Sequence, residues 1–233
     1  MKTYCALVLF LLTAIAIPAQ PSPAAPDATP AAARVSFELR WPAANPSWFE
    51  LVFQPDGSAR YRSLPHQDSK PDAKPDDPVS DPFELTFTLS PRSRQLVFAL
   101  VPQLPRLQGS LDKLKVAFTG AKTVRYDDAD GNHSVLSYNY SSSSELSAFT
   151  QLMQGISETI ELSQLLQFQL RLDTLAVDAT LRRAEDLISN HRLSEPQLLE
   201  PVLQRITNDP AIMNVARQRA RHLRQAAPAA IQR

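Results

Sequence analysis

Seven residues near the middle of the chain, Tyr126-Asp127-Asp128-Ala129-Asp130-Gly131-Asn132, resemble half of a calcium loop. Such a loop places oxygen ligands at alternate positions ahead of a glycine and closes with a bidentate glutamate. Asp128 and Asp130 fit that spacing, but Tyr126 stands at the first ligand position and Ser137 where the glutamate belongs. Asp-Gly tolerates positive φ, so the reading is a hairpin turn with acidic tips.

The histidines are His66, His133, His191 and His222, and no two lie within about twenty residues of each other. Zinc ligation asks for histidines at close helical or hairpin spacing, so these read as surface residues. His191 and Glu195 are four apart but straddle an expected helix break. No Gly-x-Ser-x-Gly elbow occurs, and the run Ser141–Ser144 reads as a connection between strand and helix. A Ser/His/Asp triad assembled only in three dimensions stays open. Glu158 and Glu161 are spaced for paired acid/base work, which requires raised pKa values in a cleft. Their alternation with an apolar stripe points instead to a solvated helix face.

Arg217, Arg221 and Arg224 are spaced four and three apart, a basic stripe opposite Ile212, Ala216, Ala220 and Leu223 and flanked by Arg219. The stripe suits an acidic partner or an anionic surface. It reads first as an ordinary solvated face, because cations are stabilised near a helix C-terminus.

The elements that position these residues begin with a leader. Lys2 precedes an apolar run from Cys5 to Ile17 broken only by Thr13, and Pro18 follows. The run has the length of a secretory signal and is short of the roughly 20 residues that span a bilayer. Cleavage is expected after Ala19, with a second site near Ala24-Ala25. It removes Cys5, the single cysteine, and with it any disulfide framework, cysteine nucleophile or thiolate zinc site. Basic and acidic residues balance at 24 each, the basic ones being 18 Arg and 6 Lys, so no global field favours nucleic acid. Five glycines against twenty prolines argue against glycine-rich phosphate loops.

Residues 20–33 form a Pro/Ala linker expected to be disordered. Alternating apolar residues then predict strands at Val35–Trp41, Trp48–Phe53, Ala59–Leu64 and Phe83–Leu89, with Pro55-Asp56-Gly57 as a hairpin turn. The Pro- and Asp-rich segment 65–82 reads as a solvated loop. Ser90-Pro91 caps a helix that Pro102 and Pro105 end. Strands follow around Lys115–Phe118, Thr123–Asp127 and Ser134–Tyr140. Helices are expected through Leu146–Ile160 and Val177–Ile188, then from a Ser194 cap, and finally from Asp209-Pro210. Strands first and helices after is an α+β order.

Four stretches carry a family likeness: Phe83–Ser90, Ala117–Thr123, Gln154–Ser157 and Asn208–Ala220. Across roughly residues 48–225 the chain resembles a group of uncharacterised exported bacterial proteins, with segment 65–82 as an insertion. That resemblance implies an exported protein and supplies no catalytic residues.

The expected organisation is a signal peptide at 1–19, the linker at 20–33, an antiparallel β-rich domain at 34–144 with one packed helix, a bundle of about four helices at 145–226 and a disordered tail at 227–233. The expected function is a non-catalytic binding or interaction protein of the bacterial cell envelope, periplasmic or secreted. The alternatives are a hydrolase with a dispersed active site and a structural envelope component. No cofactor, metal, nucleic-acid partner or catalytic residue is named. An envelope protein or anionic surface would be met through Arg217, Arg221 and Arg224, with no transmembrane segment left after cleavage.

Overall fold

The computed structural model describes residues 33–64, 82–107, 117–128 and 130–232, with backbone alone from 227 on. The expected signal peptide, almost all of the linker, residues 65–81 of the Pro/Asp loop and residues 115–116 lie outside the described residues. Six strands form one antiparallel sheet: β1 (Arg34–Arg40), β2 (Trp48–Phe53), β3 (Ser58–Leu64), β4 (Phe83–Thr88), β5 (Ala121–Asp127) and β6 (His133–Tyr138). Their order is β4-β3-β2-β1-β5-β6. Helices α1 (Pro91–Leu100) and α2 (Leu104–Leu107) sit between β4 and β5, joined by a single 3-10 turn. Helices α3 (Ser144–Leu172), α4 (Val177–Ser189), α5 (Glu200–Asn208) and α6 (Asn214–Gln232) follow the sheet. The fold is α+β, and sheet and helices belong to one compact unit, Ala31–Arg233.

Alternation decides which sheet face is buried. Val35, Phe37, Leu39, Phe49, Leu51, Phe53, Ala59 and Tyr61 point into a core that α1 and the first half of α3 close with Val97, Leu100, Phe149, Met153 and Ile156. Rings run through it, Phe37 meeting Phe49 and Phe149 at 5.8 Å and Tyr61 meeting Phe49 at 5.9 Å. The other face is a charge ladder in which Arg62 pairs with Glu50, and Glu38 with Arg40 and Arg125. Burial pushes the Glu38 carboxyl up, but the Trp48 indole and the two guanidiniums outweigh it and hold it below the usual range.

The β2–β3 turn forms as expected. Gly57 takes φ +95°, and the Asp56 carboxylate accepts from the Ser58 amide at 2.8 Å. Ser90 caps α1, its hydroxyl accepting from the Ser93 amide at 3.3 Å. Helix α3 has 29 residues, about 43 Å of rise. Its second half serves another core: Leu162 and Leu166 pack with Val177, Leu181, Ala184, Val202, Ile206, Ile212, Ala216, Ala220 and Leu223.

Several expectations shift. Residues 117–118 form no strand, and β6 stops at Tyr138. Ser194 caps nothing. Glu195 instead takes φ +55°, a 3-10 turn Pro196–Leu199 follows, and Pro201 lies in the first turn of α5, where proline is tolerated. Asp209 terminates α5, its carboxylate accepting from the Ala211 amide at 2.9 Å, and α6 starts only at Asn214. It then carries on to Gln232, across residues 227–232 that read as a tail.

Glu195 ties the segment between α4 and α5 to the start of α1. It is 3% exposed and lies against the start of α1, where its carboxylate accepts from the Ser90 amide at 2.8 Å and the Ser90 hydroxyl at 2.7 Å. The Ser93 hydroxyl and the Gln197 amide donate to it as well. A carboxylate suits a helix N-terminus, where unpaired N–H groups carry partial positive charge. Glu195→Ala leaves four donors unmatched and is expected to cost about 3 kcal/mol in urea unfolding. Glu195→Gly, relieved of the left-handed strain, is expected to cost about 1 kcal/mol less than the alanine variant.

Candidate functional site

The β1–β2 connection is a tight turn held by the Trp41 amide on the Ser47 carbonyl and the Ala44 amide on the Trp41 carbonyl, both at 2.8 Å. It brings Trp41, Asn45 and Pro46 to one rim of a cleft of about 590 Å³. Phe49 lies beneath, and α3 supplies one wall with Gln154, Ser157, Glu158 and Glu161. Arg183, Asn190, His191 and Arg192, from α4 and the residues after it, form the other. The volume falls within the range of small-ligand sites.

Local sequence sets both walls. Helix α4 ends in a Schellman motif: the Arg192 amide donates to the Leu187 carbonyl at 2.8 Å and the His191 amide to that of Ile188 at 3.0 Å. His191 occupies the left-handed position at φ +54°, usually a glycine's place. The turn then presses on α3 at Gly155. A Cβ there would lie 2.5 Å from the Ser194 hydroxyl and 2.9 Å from the Arg192 carbonyl, so only glycine lets the segment approach. The Thr159 hydroxyl donates to the Ser194 carbonyl at 2.7 Å and fixes the contact.

Glu161 stands at the base of the α3 wall, half-buried, and is not on the solvated face expected of it. The Tyr61 hydroxyl donates to its Oε1 at 2.7 Å and the Ser63 hydroxyl at 3.1 Å. With the Tyr61 proton committed there, the Ser157 hydroxyl, 2.9 Å away, donates to the Tyr61 oxygen. Burial pushes the Glu161 carboxyl up, and Glu158 adds to the rise against the two hydrogen bonds. Burial also raises the Tyr61 phenol well above its ordinary value, and the Glu161 charge raises it further. Glu158, one turn away, is paired with Arg183.

Other expected sites resolve differently. Asp128 accepts from the Asp130 amide at 2.9 Å, the Asn132 amide at 2.8 Å and the Asn132 side chain at 2.8 Å. Those bonds to Asn132, Asp130 and Gly131 hold its carboxyl below the usual range, as in a self-satisfied turn. No group of three or more metal-ligating side chains occurs among the described residues. His191 is exposed on the cleft's far wall and makes no side-chain hydrogen bond among the described residues. The arginine stripe of α6 is divided: Arg224 pairs with Glu200 at 2.6 Å, Arg221 donates to the Arg217 carbonyl at 3.4 Å, and Arg217 is half-buried with Nε unbonded. Arg219 turns to Asp178 and Glu185. No described helix is long and apolar enough to cross a membrane.

Nothing in the spacing along the chain singles out Lys122. It is 4% exposed, and its ammonium donates to the carbonyls of Asn139 at 2.9 Å, Thr119 at 3.0 Å and Gly120 at 3.2 Å. Burial lowers its pKa. It ties the entry of β5 to the exit of β6.

A carboxyl with a raised folded-state pKa keeps its proton where the unfolded chain has lost it. Its contribution is therefore full below the ordinary value of 4.5 and is lost as pH rises through the folded value. Urea midpoints of the wild type and Glu161→Gln, followed between about pH 4 and 8, test this. The wild type is expected to lose stability relative to the variant as pH climbs, and a constant difference would contradict the assignment.

No protein-family model and no curated protein matches the chain.

Proposed function

We propose that this is a non-catalytic binding protein of the bacterial cell envelope that takes a small polar ligand into the cleft between the β1–β2 turn and α3. The cleft itself carries the reading: it is formed by parts of the chain more than 100 residues apart and offers hydrogen-bonding side chains on every wall. The alternative of a dispersed hydrolase is disfavoured by proton affinities. Activating Ser157 requires a base at the end of its hydrogen bond. The group there is Tyr61, whose phenol is held protonated by burial and by the neighbouring carboxylate. His191 has no bond to a hydroxyl among the described residues.

Export rests on Lys2 and the apolar run Cys5–Ile17. The likeness to exported bacterial proteins of unknown function agrees with it. Arg217 and Arg221 are left as the part of the α6 stripe free of described carboxylates, a reduced anionic contact beside the cleft's larger polar surface.

Two measurements test these readings. Expressed at full length in a Gram-negative host, the chain is expected in the osmotic-shock fraction, with an N-terminus following Ala19 or near Ala24-Ala25. Intact Met1 in the cytosol would remove the envelope. For the cleft, thermal shifts against amino acids, sugars and polyamines are expected to identify a stabilising class. Gln154→Trp, which adds bulk to the α3 wall, should abolish that shift, and its survival in the variant would place binding elsewhere.

A further inference from the structure

The charges of the cleft are unevenly satisfied. Glu158 and Arg183 neutralise one another across it. Glu161 has no cation of its own among the described ion pairs. Both hydrogen bonds to it land on Oε1, which leaves Oε2 without a described donor, and the residue lines the cleft. On the opposite wall Arg192 is exposed and forms no described ion pair. Its backbone is held in place by the Schellman bond and by the Gly155 contact. An acidic residue on α3 and a basic residue at the end of α4 thus line the same cleft, neither with an opposite charge among the described ion pairs.

Resting on the cleft as the binding site, we propose that its ligand is a small organic zwitterion, with an ammonium group at Glu161 and an anionic group at Arg192. The recessed carboxylate oxygen accepts the ammonium in a charge-assisted bond, stronger than one between neutral groups. Trp41 on the rim offers aromatic surface of the kind that attracts organic cations. A divalent metal is a poor fit, since calcium wants six to eight oxygens and Oε1 is already engaged by two hydroxyls. The guanidinium of Arg192 offers a planar fork of donors suited to a carboxylate or a phosphate. Glu158 and Arg183 stay paired and set the spacing of the two walls.

The probes are 6-aminohexanoate, hexylamine, hexanoate and calcium chloride, titrated against the full mature protein. The Trp41 indole and Asn190 amide signals are followed by NMR. The tightest binding is expected from 6-aminohexanoate, weaker binding from hexylamine, and none from hexanoate or calcium. Glu161→Gln keeps an oxygen for Tyr61 and Ser63, and its melting profile verifies the fold. It should weaken 6-aminohexanoate by about tenfold. Arg192→Gln should bring 6-aminohexanoate down to the level of hexylamine. Hexanoate binding as well as 6-aminohexanoate, or unchanged affinity in folded Glu161→Gln, overturns the zwitterion site, as does silence from all four probes. The cleft reading fails separately, if compounds still bind with Gln154→Trp in place.

Discussion

Helix α3 is asked to be buried twice. Its first half is pressed onto the inner face of the sheet, where Phe149, Met153, Ile156 and Ile160 meet the β1–β3 side chains. Its second half sits among α4, α5 and α6 through Leu162 and Leu166. A single amphipathic stripe cannot serve partners on different sides, so the helix is apolar around much of its circumference, and small or polar residues appear where another backbone must come close. Gly155, Ser157, Thr159 and Ser163 are all buried there. The two cores are therefore parts of one unit, and shifting α3 along its axis would disturb both. The cleft lies where the β1–β2 turn, α3 and the end of α4 meet.

The long-range ties across that arrangement are polar and almost entirely neutral on one side. Glu195 meets the N-terminal amide and hydroxyls of α1, and Lys122 meets three backbone carbonyls. In each case a buried charge is solvated by dipoles rather than by an opposite charge. Such ties fix geometry more than they add net stability, because removing a charge from water is costly and one lost partner leaves the rest exposed to that cost. The left-handed backbone of Glu195 is the local expense of aiming the carboxylate at α1.

Much of this architecture is readable from periodicity. The alternation of Val35, Phe37 and Leu39 gives the buried face of β1, Asp56-Gly57 gives a hairpin, and Ser90-Pro91 gives a helix start, because each is decided by neighbours in the chain. The apolar positions Ile212, Ala216, Ala220 and Leu223 are all buried. The α5–α6 boundary is less legible: Ser194 and Asp209 are good capping residues by type, but Glu195 and Ile212 are claimed by tertiary contacts that move the helix starts. The site is the least legible part. Glu161 looks like a solvent-facing residue until Tyr61 and Ser63, about a hundred residues earlier, are brought beneath it. The inward alternation of Ala59, Tyr61 and Ser63 announces a polar pair in the core that needs a partner, yet nothing in one-dimensional spacing says which residue supplies it.

Elsewhere in the helical region, several carboxylates and guanidiniums are mutually engaged. Burial pushes the Asp178 carboxyl up, but Arg219 and Arg182 more than offset it and hold it low. Glu185 shares Arg219, and Glu200 takes Arg224. Exposed pairs of this sort contribute little to stability individually. Collectively they remove free charge from the surface of a chain whose basic and acidic residues are equal in number. Glu161, like Glu195, has no cation among the described ion pairs, but it lines a cleft. Hydroxyls, not a cation, hold it, so its charged form is only partly compensated by the fold. A structural carboxylate at that depth is better served by an arginine, and Arg183 lines the same cleft but is bound to Glu158. The fold thus brings a carboxylate to the lining of a cleft with both described donors on one oxygen, an arrangement that costs stability at neutral pH and is understandable when a cation arrives from outside.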